Sequence, residues 1–184
     1  MNAAHIHLLL NHTPVVGLLF LLPLLIYATA RSHADYYRLA LLGLVCVALL
    51  TIPVYLSGEG AEETVEHLPG FSAATHDILE NHEDTARLAL FGALALGALA
   101  FVFLLLEKYR PALFMKWRWA PVLLAIPTLA AFVATANLGG QIMHTEIRDA
   151  SRIENFQILP EGSDTRAAEY TDESAEHERE SEHD

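Results

Sequence analysis

Four stretches of this chain, 6–28, 39–56, 88–106 and 119–143, contain no Asp, Glu, Lys or Arg, and this property constrains the fold more than any other. A helix rises 1.5 Å per residue, so about 20 apolar residues cross the roughly 30 Å of hydrocarbon in a bilayer. A transmembrane barrel would need apolar and polar residues in alternation, whereas these stretches are apolar throughout. The expectation is an all-α integral membrane protein, a four-helix bundle in the lipid bilayer.

Hydrophobic residues make up 53% of the 184, yet the net charge is -12. Both values fit one chain only if they are segregated along it. The acidic residues concentrate between 57 and 84 and again after 145. Residues 1–145 therefore read as the membrane domain, and 146–184 as an acidic polar tail that is expected to be disordered. The first stretch has a small-residue site at Ala28-Thr29-Ala30, but no Lys or Arg precedes its long apolar run, so it reads as a retained helix. Cys46 lies mid-span without a second cysteine and is expected in buried packing.

Arg31 and Arg38 flank the first connection, and Lys108, Arg110, Lys116 and Arg118 the third, while Glu and Asp dominate the second. The positive-inside rule places the two basic connections in the cytoplasm, at an inner (plasma) membrane. Both termini and an acidic, helical loop then lie outside, on the periplasmic face. Trp117 and Trp119 suit the interface at the start of the fourth span. In this orientation His5, His7, His12, His67, His76, His82, His144, His177 and His183 share the outer side, and His33 alone lies inside.

Helical spacing distributes these residues over faces. His5 and His12 are seven apart and share one; His7 points elsewhere, with Asn11 one turn on. Pro14 removes a main-chain donor and should disturb the opening turns. Ala61 to Leu68 reads as a short helix ended by Pro69-Gly70, pairing Glu62 with Glu66 and Glu63 with His67. With Thr75 as N-cap, the run from His76 should continue into the third span, placing His76, Glu80 and Glu83 together. His82 aligns with Ala86, Ala89, Ala93 and Gly97, a small-residue face that admits a neighbouring helix or a flat macrocycle. On the fourth span Asn137, Gln141 and His144 form a polar stripe expected to face the bundle, as interhelical glue or as part of a site. His12, His82 and His144 are expected to converge near one depth, with Glu59, Glu62 and Glu83 close by.

The pieces His7-Leu-Leu-Leu-Asn-His-Thr-Pro-Val-Val-Gly17, Gly58-Glu-Gly-Ala-Glu-Glu63 and His82-Glu83 resemble an uncharacterised group of prokaryotic four-helix transmembrane proteins. The first helix of that group opens with a His and then His-x-Pro. Some of its members are fused to Rieske iron–sulfur domains, which implies a redox setting. The resemblance covers roughly residues 5–145, and its most specific piece is the first-helix motif. This chain departs from it at Asn11 and in having no fused redox domain.

Three functions are consistent with these residues. One is electron transfer through b-type haem held near the outer face by His12 with His82 or His144, with a redox partner or a larger membrane complex. Another is a non-haem zinc or iron site built from His5, His7, His12, Glu59, Glu62, Glu63, Glu66, His67, His76, His82, Glu83 and His144, with hydrolysis possible if one position is open to water. The third is a cofactor-free accessory subunit of a membrane complex, whose acidic tail meets a basic partner. No phosphate loop, nucleophile motif or basic stripe for nucleic acid is present.

Overall fold

Prolines and one long uninterrupted run decide where the helices begin and end. The computed structural model describes residues 3–67, 72–144 and 148. Contacts divide the chain into Met1–Ile147 and Arg148–Asp184; the fold below is that of the first unit, and the tail expectation lies outside the described residues. The elements are α1 Ala3–Leu10, α2 His12–Arg31, α3 Ala34–Leu56, α4 Gly58–Glu66, α5 Ala73–Tyr109, α6 Pro111–Trp117 and α7 Ala120–Met143. Four helical runs are long and apolar enough to cross a membrane: Ala4–Arg31, Ala34–Glu66, Ala73–Tyr109 and Ala120–Ile142. The chain is a multi-pass, helical membrane protein.

The first expected span is divided at Asn11, three residues before Pro14. A helical proline has no N–H for the carbonyl four residues back, and its ring presses on that carbonyl. For Pro14 that residue is Leu10, where α1 ends. Pro23, Pro53 and Pro127 are carried inside α2, α3 and α7, a placement that membrane helices tolerate. The short acidic helix begins at Gly58, earlier than the expected Ala61, because α3 passes into α4 with only Ser57 between them. Its expected stop at Pro69-Gly70 lies outside the described residues.

The N-cap of α5 is Ser72 rather than Thr75: Ser72 has extended main-chain angles, and its Oγ accepts from the Thr75 N–H at 3.3 Å. From there α5 runs 37 residues without a break. That is about 55 Å of helix, against about 30 Å of hydrocarbon. Its first part, 73–87, carries His76, Asp77, Glu80, Glu83, Asp84 and Arg87 and lies beyond the hydrocarbon. α4 carries Glu59, Glu62, Glu63 and Glu66 and lies beyond it at the same end.

The four spans close into a ring in which α2 packs on α3 and α7, and α5 packs on α3 and α7. Leu18, Leu25, Leu41, Leu96 and Phe103 fill the centre. Large apolar side chains such as Phe20, Phe91 and Leu123 point outward, an arrangement suited to lipid and costly in water. Cys46 also points outward. The buried packing expected for it is corrected: its position on α3 falls between the inward-facing Leu44 and Val47.

The small-residue face of α5 receives a helix. Ala89, Ala93, Gly97 and Ala100 are buried, and a Cβ on Gly97 would stand 2.4 Å from the Ala48 Cβ of α3. At the basic end, Ser32 closes the α2–α3 turn at φ 54 in the left-handed region. Its Oγ accepts from Arg118 Nη1 at 2.6 Å. Buried Tyr37 donates its hydroxyl to the Arg118 carbonyl at 2.8 Å and meets Phe114 edge-on. Arg38 reaches Glu107 across α3 and α5 at 2.9 Å. Because Gly97 has no space for a methyl group, Gly97→Ala is expected to destabilise the bundle by about 1–3 kcal/mol through overpacking. Thermal unfolding in detergent checks this, with Ala95→Gly on the exposed side of the same helix as the comparison.

Candidate functional site

The acidic end of the bundle gathers α1, α4, the start of α5 and the end of α7, and two imidazoles there are drawn into the protein. His7 on α1 is half-buried, and its Nδ1 lies 3.1 Å from the Val54 carbonyl and 3.2 Å from Ser57 Oγ. Ser57 Oγ itself donates to the same carbonyl at 2.8 Å. His82 on α5 is half-buried, with Nδ1 3.0 Å from the Thr135 carbonyl of α7. A carbonyl only accepts, so each Nδ1 carries the proton and the lone pair stays on Nε2. The bonds join α1 to α3 and α5 to α7. Gly139 makes the second possible, since a Cβ there would stand 3.1 Å from the His82 Cε1.

His82 precedes the charge-free stretch of α5 by about 9 Å of helix. Its pKa is lowered, chiefly by burial and further by the nearby His7, against the opposing effect of the Thr135 carbonyl. Half-buried Glu62 on α4 is shifted the other way: burial raises it first, then the charges of Glu83, Glu66 and Glu59, with His76 opposing. The structure thus brings Glu62 of α4 near Glu83 and His76 of α5. Along α5, Arg87 holds Glu83 at 2.9 Å and Asp84 at 3.3 Å.

The other expected residues take different places. His12 is exposed and donates to the Asn11 side chain. His5, His76 and His144 are exposed, as are Glu59, Glu63, Glu66 and Glu83. Exposed His67 donates from Nδ1 to the Glu63 carbonyl at 2.6 Å, one turn back on its own helix. Among the described residues no three His, Cys, Asp or Glu side chains form a group that could hold a metal ion. Of His12, His82 and His144, which were expected to converge, His12 and His144 are exposed and His82 turns into the bundle.

The polar stripe on α7 is corrected too. Gln141 is half-buried, but Asn137 is exposed. It lines a groove of about 510 Å³ open to the side of the bundle, between Leu22 of α2 and Ile126, Ala130, Val133 and Ala134 of α7. Among the described residues no side chain or main-chain group hydrogen-bonds its amide. Asn137 stands between Thr135 and Gly139, both of which pack against His82, so its amide lies at the level of that imidazole.

Sequence reasoning missed the partners rather than the histidines. The acceptors for His7 and His82 are main-chain carbonyls, which every residue has, and only Gly139, opposite an imidazole, left a trace in the sequence.

No family model, no curated protein and no solved structure matches this chain. Its function rests on the site itself.

Because burial holds the folded-state pKa of His82 below its unfolded value, near 6.5, the unfolded chain binds the proton more readily in the interval between the two. Stability is therefore expected to fall as pH drops from about 6.5 toward the lower folded value. Denaturation in detergent at a series of pH values measures this. His82→Phe should flatten the dependence and, at pH 8, cost about 0.5–1.5 kcal/mol for the lost hydrogen bond.

Proposed function

We propose that this protein is a cofactor-free accessory subunit of a membrane complex, a four-span scaffold whose polar rim holds its own helices in register. The observation that carries this reading is the engagement of the two half-buried imidazoles. His7 and His82 each spend a donor on the main chain of a neighbouring helix, as structural glue does. The net charge of -12 and the four glutamates of α4 suit a partner with a basic surface, which the opposite potential would orient as it docks. By the positive-inside rule the end bearing Arg31, Arg38, Lys108, Arg110, Lys116 and Arg118 faces the cytoplasm, and the acidic end faces the periplasm of an inner membrane.

A second reading, a haem or a zinc or iron ion at the acidic end, is favoured by one observation. Both imidazoles donate from Nδ1 to a carbonyl, the tautomer in which a metal-bound histidine offers Nε2. Haem iron takes one such imidazole, or two on opposite faces, as axial ligands, and bound, it would supply one-electron exchange at the rim. A structural zinc takes four ligands, and the described residues supply no group of three.

Visible absorption and metal analysis of the detergent-purified protein, expressed with ample haem, zinc and iron, decide between the two. The scaffold reading expects no Soret band and no stoichiometric metal, with His7→Ala and His82→Ala lowering the unfolding temperature and leaving the spectrum unchanged. A Soret band that shifts on reduction with dithionite and is lost in His82→Ala would overturn it, as would stoichiometric zinc or iron.

A further inference from the structure

The basic end of the bundle carries charge that the protein does not neutralise. Arg31, Arg38, Lys108, Arg110, Lys116 and Arg118 stand there against two carboxylates, Asp35 and Glu107. Arg38 takes both, at 3.4 and 2.9 Å, and Arg118 donates to Ser32 Oγ. Arg31, Lys108, Arg110 and Lys116 are exposed. Among the described residues no carboxylate lies within ion-pair reach of these four.

Apolar surface lies beside these cations. α6 is far too short to cross a membrane. Its Phe114 turns inward, toward Tyr37 and Phe103, while Leu113, Met115 and Trp117 are exposed. The Lys116 ammonium stands 5.7 Å from the centre of the Trp117 ring, and that of Lys108 5.3 Å from the Tyr109 ring, so each ring has a cation against it. Arg110 lies between the two pairs, at the corner where α5 ends and α6 begins.

Depth fixes what this surface meets. The charge-free stretch of α5 ends at Leu106, so Arg110 lies about 6 Å of helix beyond it. The corner is therefore at the level of the lipid headgroups, where indole and phenol rings and long cationic side chains belong. Below it, Phe101, Leu105 and Tyr109 are spaced four apart and all exposed, so they form one track along α5 that leads from hydrocarbon to the cations.

Charge then selects among lipids. Phosphatidylcholine sets a quaternary ammonium beside its phosphate, whereas phosphatidylglycerol presents the phosphate with no cation, and Lys and Arg at a membrane surface favour the second. The net charge of -12 has the opposite sign of effect. Its acidic layer, however, is about 30 Å of hydrocarbon away, and exposed charges are screened beyond about 8 Å at physiological ionic strength. At this end the local cations prevail. An acidic protein segment would answer the charges but leave the apolar track unused.

We propose that the α5–α6 corner binds an anionic phospholipid, with its headgroup among Lys108, Arg110 and Lys116 and an acyl chain along Phe101, Leu105 and Tyr109. This stands apart from the scaffold reading, since it needs only that this end of the bundle meets a membrane surface.

The test uses the full chain in vesicles of phosphatidylcholine with a graded fraction of phosphatidylglycerol. A Trp119→Phe background leaves Trp117 as the one indole of the chain. Bromine on acyl chains quenches an indole on contact, so quenching by brominated phosphatidylglycerol against brominated phosphatidylcholine, at equal mole fraction, gives the relative affinity. Phosphatidylglycerol is expected to be favoured by at least about 5-fold, the equivalent of one cation at a membrane surface. Arg110→Gln and Lys116→Gln should each lower that preference by about 2- to 5-fold. Adding Lys108→Gln to both should abolish it, and salt at about 1 M should weaken it. Arg87→Gln, at the acidic end, should leave it unchanged. Circular dichroism confirms that each variant remains helical.

Equal quenching by the two lipids would overturn the proposal, as would a preference that the triple variant retains. If polyglutamate shifts the Trp117 emission in pure phosphatidylcholine vesicles while the two brominated lipids quench alike, the occupant is an acidic protein segment and the lipid assignment fails.

Discussion

Within hydrocarbon no water is available to a main-chain N–H or C=O, and every such group must find its partner inside the protein. The rest of this structure follows from that constraint. It makes each crossing a helix, and it turns each proline into an event with a definite consequence. Pro14 ends α1 at Leu10, while Pro23 and Pro127 are carried within α2 and α7. It also bears on side chains. Thr29, Thr51 and Thr128 are buried, and each returns its hydroxyl to the carbonyl four residues back on its own helix. Polar atoms can enter the core on those terms without asking anything of another helix.

The two ends of the bundle solve a different problem, since polar groups there can also reach water. At the basic end the contacts between elements are specific: Tyr37 to the Arg118 carbonyl, Arg118 to Ser32, and Arg38 to Glu107. At the acidic end the two imidazoles do the equivalent work, one between α1 and α3 and one between α5 and α7. The apolar centre lies between these sets of ties. Because hydrophobic burial does not drive association of helices within lipid, directional contacts at the ends and close approaches such as Gly97 on Ala48 fix which helix meets which.

The spans were legible in the sequence because the absence of charge over about 20 residues has one physical explanation. So was the passage of α5 out of the hydrocarbon, since nothing between His76 and Leu88 interrupts a helix. The histidine-rich end could be read as an end but not as a site. Which imidazole turns inward depends on helix phase: His7 and His12 lie on different faces, and His7 found a carbonyl while His12 stayed exposed. Asn137 shows the same limit from the other side. It was expected to face the bundle interior, but the phase of α7 turns it outward. Cys46 followed the same rule, one position of phase separating core from lipid.

One consequence concerns mechanics. α5 is a single rod from the acidic layer through the full thickness of the membrane, with no hinge at the surface where most chains bend or break. A load applied to its outer fifteen residues cannot be absorbed by a flexible joint. It must rotate or tilt the whole rod, and with it the contacts to α3 and α7. Anything that pulls on the acidic layer, or any bilayer whose thickness forces the spans to lean, is thereby geared directly to the packing at Gly97 and to the angle at which α7 presents its outer face.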